Sequence, residues 1–170
     1  ENRSLKLAQQ PSIIEFFAQT VDLSSGEILD VLDTLIKPPA PISPEITRIT
    51  TITNEMLEDA PSFEEVASKI LGKILDTPAV LAHNASFDKE MIDIEFERLA
   101  QLPSWRGIQV KWPRVICSVE ASIHLTGYRL SLSNLYQHLF NEPFEGAHRA
   151  GVDVKALTRC CVELFRRGDL

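Results

Sequence analysis

Two spacings of apolar residues alternate along this chain, and the changes between them mark out its elements. Residues 13–21, IIEFFAQTV, and 28–36, ILDVLDTLI, are short and rich in strand formers. The turn-like DLSSGE between them predicts a hairpin. KPPAPISPE, with four prolines in nine residues, predicts an extended connector, and SPEITRI and TNEMLED two short helical turns. From Ser62 to Leu75 the spacing becomes helical: Ser62 is placed as N-cap, Glu65 completes a capping box, and Val66, Ile70 and Ile74 share one face. PAVLAHN, residues 78–84, is a short apolar run of the kind that forms a buried central strand. Phe87 to Leu99 predicts a helix, RVICSVEAS a strand, SLSNLYQHLF a helix, and Asp153 to Arg167 the last helix. Strands first, then alternating strand and helix, predict an α/β fold in which helices flank a mixed sheet. There is no internal repeat.

Two aspartates do not belong on their faces. Asp88 shares a stripe with Ile92, Phe96 and Leu99, and Asp153 one with Leu157, Cys161 and Leu164, so each carboxylate opens an apolar face. Taken singly, each reads as a favourable negative charge at a helix N-terminus. Taken together, two inward carboxylates need partners, and divalent Mg²⁺ or Mn²⁺ is a natural one. Both readings stand. His148 lies in GAHRAG, among small residues that leave an imidazole room to act as a base. His83, which follows an apolar strand, reads as a hydrogen-bonded structural residue, and His124 and His138 carry no signal.

Composition narrows the classes. The 170 residues suit one domain, and 44% hydrophobic with 24% charged residues is a globular balance. A formal charge of −7 argues against bulk adhesion to DNA or anionic lipid, but metal ions can supply positive charge locally. Cys117, Cys160 and Cys161 are odd in number and two are adjacent, which predicts reduced thiols in a cytoplasm. No apolar run approaches the ~20 residues of a membrane span, and no signal peptide is visible. Arg106, Lys111, Arg114 and Arg129 interleave with Trp105, Trp112 and Tyr128. That pattern fits either a strand-contacting surface or a loop with buried tryptophans.

HNASFDKEMIDIEF, followed about 60 residues later by HRAGVDVKAL, resembles the second and third motifs of the DnaQ-like (DEDDh) 3′–5′ exonucleases. SIIEFFAQTVDLSSGEIL resembles that family's second strand and hairpin, PPAPISPEITRITTITNEMLEDAPSFEEV its connector, and LSLSNLYQHLF the helix before its third motif. The resemblance covers nearly the whole chain in the right order. It implies a ribonuclease-H-like fold and two-metal hydrolysis (Mg²⁺ or Mn²⁺) of a single-stranded 3′ end of DNA or RNA, releasing nucleoside monophosphates. It assigns Asp88 and Asp153 as metal ligands and His148 as general base. His83, Asn84 and the Thr50-Thr51 pair occupy positions carried as substrate-binding. A polymerase or another replication or processing protein is the implied partner.

Three departures qualify the likeness. The family's opening strand, Asp-x-Glu followed by Thr-Thr-Gly, has no counterpart. Glu1 stands near the family's spacing ahead of Ile13-Ile14-Glu15 and is carried as a metal ligand; alternatively, residues 1–12 are a loop behind a lost strand. Thr50-Thr51 replaces His-Gly or Thr-Gly, and ICSVEAS lacks a familiar aspartate, leaving Ser118 and Glu120 unassigned. The expectation is one exonuclease domain over residues 1–170, its first strand missing or truncated, with about 10–20 further residues upstream to supply it. The rival is a nucleic-acid or protein-binding module of the same fold that has lost catalysis.

Overall fold

The computed structural model describes residues 7–144 and 149–170. After a short 3₁₀ turn come strands β1 (Glu15–Val21) and β2 (Ile28–Leu35), then helices α1 (Pro44–Thr50), α2 (Asn54–Glu58) and α3 (Phe63–Leu75). Strand β3 (Ala79–Ala82), helix α4 (Ala85–Leu99) and strand β4 (Arg114–Cys117) follow. The chain closes with α5 (Ser118–Ala121), α6 (Ile123–Thr126), α7 (Leu132–Phe140) and α8 (Ala150–Arg167).

The hairpin forms as its sequence dictates. Asp22 Oδ1 accepts from the Ser24 N–H at 2.8 Å, and Gly26 takes φ +76°, so the turn closes and Glu15 pairs with Leu35. The capping box of α3 is present in both directions: the Ser62 N–H donates to Glu65 Oε2 at 2.7 Å, and the Glu65 N–H to Ser62 Oγ at 3.4 Å. Phe63, Val66, Ile70 and Ile74 of α3 meet Ile92, Phe96 and Leu99 of α4 in one core, with Phe63 edge-on to Phe96 at 5.4 Å. A second core joins Leu135 and Leu139 of α7 to Cys160 and Leu164 of α8.

The mixed sheet differs from a single continuous one. Antiparallel β1–β2 and parallel β3–β4 are separate two-stranded ladders among the described residues. Ile13, Phe16 and Leu32 of the hairpin segment and Val80 of β3 nonetheless pack against the same α3–α4 core, so both ladders back onto one helical layer. β4 also stops sooner than its sequence predicts: Ser118 turns inward and starts a helical turn instead of continuing the strand. The outer half of β2 is exposed despite Ile28, Leu29 and Val31, because α8 lies over β1.

Two long-range ties were invisible to pattern reading. Glu95 is buried, accepts from the Ile13 N–H at 2.9 Å and pairs with Arg98. Arg98 in turn donates to the carbonyls of Leu7 (3.0 Å) and Gln10 (2.6 Å), strapping the segment before β1 onto α4. At the other end, the Glu15 carboxylate accepts from Arg149 Nη2 at 2.8 Å and from the Ala150 N–H at 2.9 Å, which fixes the first residue of α8. Gly151 permits this approach, since a Cβ there would lie 3.1 Å from the Phe17 ring.

Removing a nearly buried carboxylate that neutralises a guanidinium and caps a helix leaves both donors unpaired. Glu15→Ala is therefore expected to lower the unfolding free energy in urea by about 2–4 kcal/mol, and Glu15→Gln by less, because the amide still accepts from Ala150. A loss below about 1 kcal/mol for Glu15→Ala would mean that α8 is seated by packing alone.

Candidate active site

The site is built where β3 ends and α4 begins. β3 and β4 run parallel, so Ala82 and Cys117 finish side by side and deliver His83 and Ser118 to the same edge. In open α/β sheets such carboxyl ends face a cleft. The chain then turns at Asn84, which adopts φ +68°, ψ +50°. Asparagine tolerates this left-handed conformation, and it lets the helix start directly on the strand. Asp88 falls in the first turn of α4. Asp153 occupies the corresponding place in α8 and is half-buried.

Asp88 carries the clearest electrostatic signal. Desolvation pushes its carboxyl up to about 6, opposed only by a weaker hydrogen bond from its own backbone. No basic side chain contributes. The residue as a whole is exposed, so the carboxylate expected to point inward faces solvent, and the desolvation comes from neighbouring protein on one side rather than from enclosure. Phe87, 60% exposed, adjoins it; its exposure on an otherwise ordinary helical turn gave no sequence signal.

His83 is a structural tie, as its position after a strand predicted. Its Nε2 lies 3.1 Å from the Leu130 carbonyl, which can only accept, so Nε2 carries the proton. Nδ1, 2.9 Å from Ser118 Oγ, then accepts from the hydroxyl. Burial holds the imidazole below its usual pKa, and the Arg129 charge acts in the same direction, so the ring is neutral at neutral pH. Ser118, unassigned in the sequence, thus has its role. Asn84 makes no capping hydrogen bond to α4; its Oδ1 receives Arg129 Nη2 at 3.4 Å instead.

Other candidates divide. Thr50 donates to the Ile46 carbonyl at 2.8 Å, and Thr51, at φ +62°, closes the end of α1 through its N–H to Thr47. Among the described residues, no hydrogen bond links either threonine to the residues around Asp88. His148 and Glu1 lie outside the described residues. Trp105 packs against Phe96, and the Trp112 indole donates to Asp93 at 2.8 Å, so both tryptophans are structural. Glu15, whose carboxylate serves Arg149 and Ala150, is committed to α8.

Carboxylate oxygens suit a hard divalent cation, and no cationic side chain offsets the Asp88 carboxyl. Among the described residues, however, no group of three or more histidine, cysteine, aspartate or glutamate side chains could hold an ion.

Comparison with known proteins agrees with this geometry. The family model described as Exonuclease (RNase T) matches residues 2–160. PolC-type DNA polymerase III of Staphylococcus haemolyticus is 41% identical over 100 residues, covering 59% of this chain. The enzyme of Staphylococcus aureus gives the same figures, and the chain spans 7% of the length of these relatives. Exonuclease X in complex with 5′ overhanging duplex DNA superposes with a TM-score of 0.68 at 24% identity, covering 95% of this chain and 88% of that one. The nuclease domain of 3′hExo, a DEDDh member bound to rAMP, superposes at 0.73 with 19% identity, over 92% and 82%. These likenesses establish the ribonuclease-H-like α/β fold.

A carboxyl raised in the folded state keeps its proton there longer than in the unfolded chain, so its ionisation destabilises the fold as pH rises from about 4 to about 6. In metal-free buffer, Asp88→Asn is expected to melt near the wild type at about pH 3 and increasingly above it through that window, with the gain constant beyond. A difference that does not change with pH would show that the Asp88 carboxyl is not desolvated.

Proposed function

The chain belongs to the DnaQ-like DEDDh exonuclease family, and from that premise we propose that it hydrolyses phosphodiesters of single-stranded DNA or RNA stepwise from the 3′ end, releasing nucleoside 5′-monophosphates. The observation that supports this reading is Asp88: an exposed carboxyl in the first turn of α4, just past the end of β3, raised by desolvation with no basic group to offset it. Such a carboxylate is matched to a cation brought in from solution.

Asp88 and Asp153 would hold Mg²⁺ or Mn²⁺, two ions in the complete site, together with Glu1 or the glutamate of an Asp-x-Glu strand. Bound there, the ions supply an acidified water and offset the charge that builds on the phosphodiester. His148 would take a proton from the attacking water as its oxygen bonds to phosphorus and the bond from phosphorus to the preceding 3′ oxygen breaks, the leaving oxygen taking its proton from solvent. Asn84 and the Thr50-Thr51 corner are substrate contacts in this reading. His83, with both ring nitrogens engaged, acts through the loop it holds. The protein works in the cytoplasm beside a polymerase or another processing protein; no described helix is long and apolar enough to cross a membrane.

One observation favours the second reading, a binding module without catalysis: no three-membered ligand group among the described residues. The arrangement of the two ladders supports the first reading. Among the described residues β1 and β3 each have a single strand partner, yet both rest on the α3–α4 layer. We propose that one further strand, bearing Asp-x-Glu, pairs between them and completes both the sheet and the ligand set. With that strand present, calorimetric titration is expected to find two Mn²⁺ sites; with Asp88 and Asp153 alone, one weak site.

The decisive assay offers 5′-labelled single-stranded DNA and RNA with Mg²⁺ or Mn²⁺. A ladder shortening from the 3′ end is expected. Asp88→Ala and Asp153→Ala are expected to abolish it. His148→Ala is expected to slow it roughly 10²–10⁴-fold and to remove the ascending limb of its pH profile, since only the neutral ring accepts a proton. Near-normal turnover in either aspartate variant would overturn the metal assignment, and in the histidine variant the base.

A further inference from the structure

Arg129 is the one basic residue of the 105–129 stretch that the structure sets beside the start of α4. Its guanidinium reaches Asn84, the N-cap of α4, and Asp88 lies one helical turn further on, a rise of about 5–6 Å. That hydrogen bond, at 3.4 Å, is long and leaves most of the guanidinium donors open. Among the described residues no carboxylate pairs with Arg129, although the chain as a whole is acidic. Arg98, Arg149, Arg159, Arg166 and Arg167 each have a carboxylate partner; Arg48, Arg106 and Arg114 share Arg129's lack of one among the described residues, but only Arg129 is hydrogen-bonded to the N-cap of α4.

Tyr128 beside it is 61% exposed, the largest exposure of any aromatic residue among the described ones. The other tyrosine, Tyr136, lies against Phe140 and Phe144.

The backbone under this pair is fixed at every point. Gly127, at φ +81°, ends α6, and the Thr126 hydroxyl donates to the Tyr128 carbonyl at 3.0 Å. Leu130 is buried in the α7–α8 core, and its carbonyl is held by His83. Ser131 caps α7. Two exposed side chains on a turn anchored through His83 to the end of β3, the strand that leads into the helix bearing Asp88, are a preorganised contact.

We propose that the Tyr128–Arg129 turn is a binding element for the substrate strand, Arg129 taking a backbone phosphate and Tyr128 the face of a base. This rests on the nuclease reading and adds to it a phosphate-and-stacking contact outside the carboxylate site. His83 is then a positioning residue: it ties the turn to β3 and touches no substrate. Phosphate contact and base stacking are sequence-tolerant, so the element serves a strand of any sequence.

The test is equilibrium binding of a fluorescent single-stranded oligonucleotide whose 3′-terminal linkages are phosphorothioates, followed by anisotropy in Mg²⁺ across a range of salt. Losing one phosphate contact should reduce the slope of log K against log salt by about 0.7 in Arg129→Gln. Tyr128→Ala should weaken binding roughly 5–100-fold with the slope unchanged, and Tyr128→Phe should restore it. On a hydrolysable strand both losses should raise KM more than they lower kcat. Both side chains are exposed, so equal melting temperatures check that the fold is intact. If the intact protein binds and degrades the strand but Arg129→Gln keeps the wild-type slope and affinity, this proposal falls and the nuclease reading stands. If the wild type neither binds nor degrades it, both fall.

Discussion

The carboxylate of Glu15 is the constraint on which the rest of the site depends. It stands at the first residue of β1 and holds Arg149 and the N–H of Ala150, 134 and 135 positions away in the chain. The start of α8, and hence the placing of Asp153, follows from that bond and from the close seating of Gly151 on Phe17. His83 does the matching work on the other side, joining the ends of β3 and β4 to the loop before α7. Neither residue is free for chemistry. Each spends all its hydrogen-bonding capacity on holding a helix or loop, which is what a site needs when its working groups come from distant parts of the sequence.

The contrast between Asp88 and Glu163 shows why position matters more than residue type. Glu163 accepts from Arg166 and Arg167 on its own helix, and these bonds hold its carboxyl down at about 2. Asp88 has no such neighbour, and desolvation acts in the opposite direction. Satisfied carboxylates such as Glu163, Glu142 and Glu15 are ordinary features of a folded surface or interior. Asp88, in the first turn of α4, has no such cationic partner.

Much of this was legible in the chain, and the division between what was and was not follows the range of the interactions. The capping box at Ser62 and Glu65, the stripe of Ile92, Phe96 and Leu99, and the hairpin about Gly26 are local rules, and each appears where the spacing put it. The helix carrying Asp88 starts two residues earlier than its apolar period suggested, because Asn84 accepts a left-handed turn. β4 ends at Cys117 because Ser118 is drawn inward to His83, a partner 35 positions away that no local window contains. The Glu95–Arg98 strap and the Glu15 anchor are of the same kind: buried charges whose partners are set by the tertiary structure alone. The loop of basic and aromatic residues resolved into three different fates for the same reason: a packed tryptophan, a hydrogen-bonded one, and an exposed tyrosine beside its arginine.

The two tryptophans also determine how this protein reports on itself. Trp105 leans on Phe96, and Trp112 is held by Asp93 with Lys89 above its ring at 5.4 Å, so both indoles belong to the α3–α4 side of the sheet. The α7–α8 side contains neither. Intrinsic fluorescence is therefore a one-sided witness: it registers the loosening of one half of the molecule, while fraying of the helix that bears Asp153 would pass unseen unless a second probe were placed there.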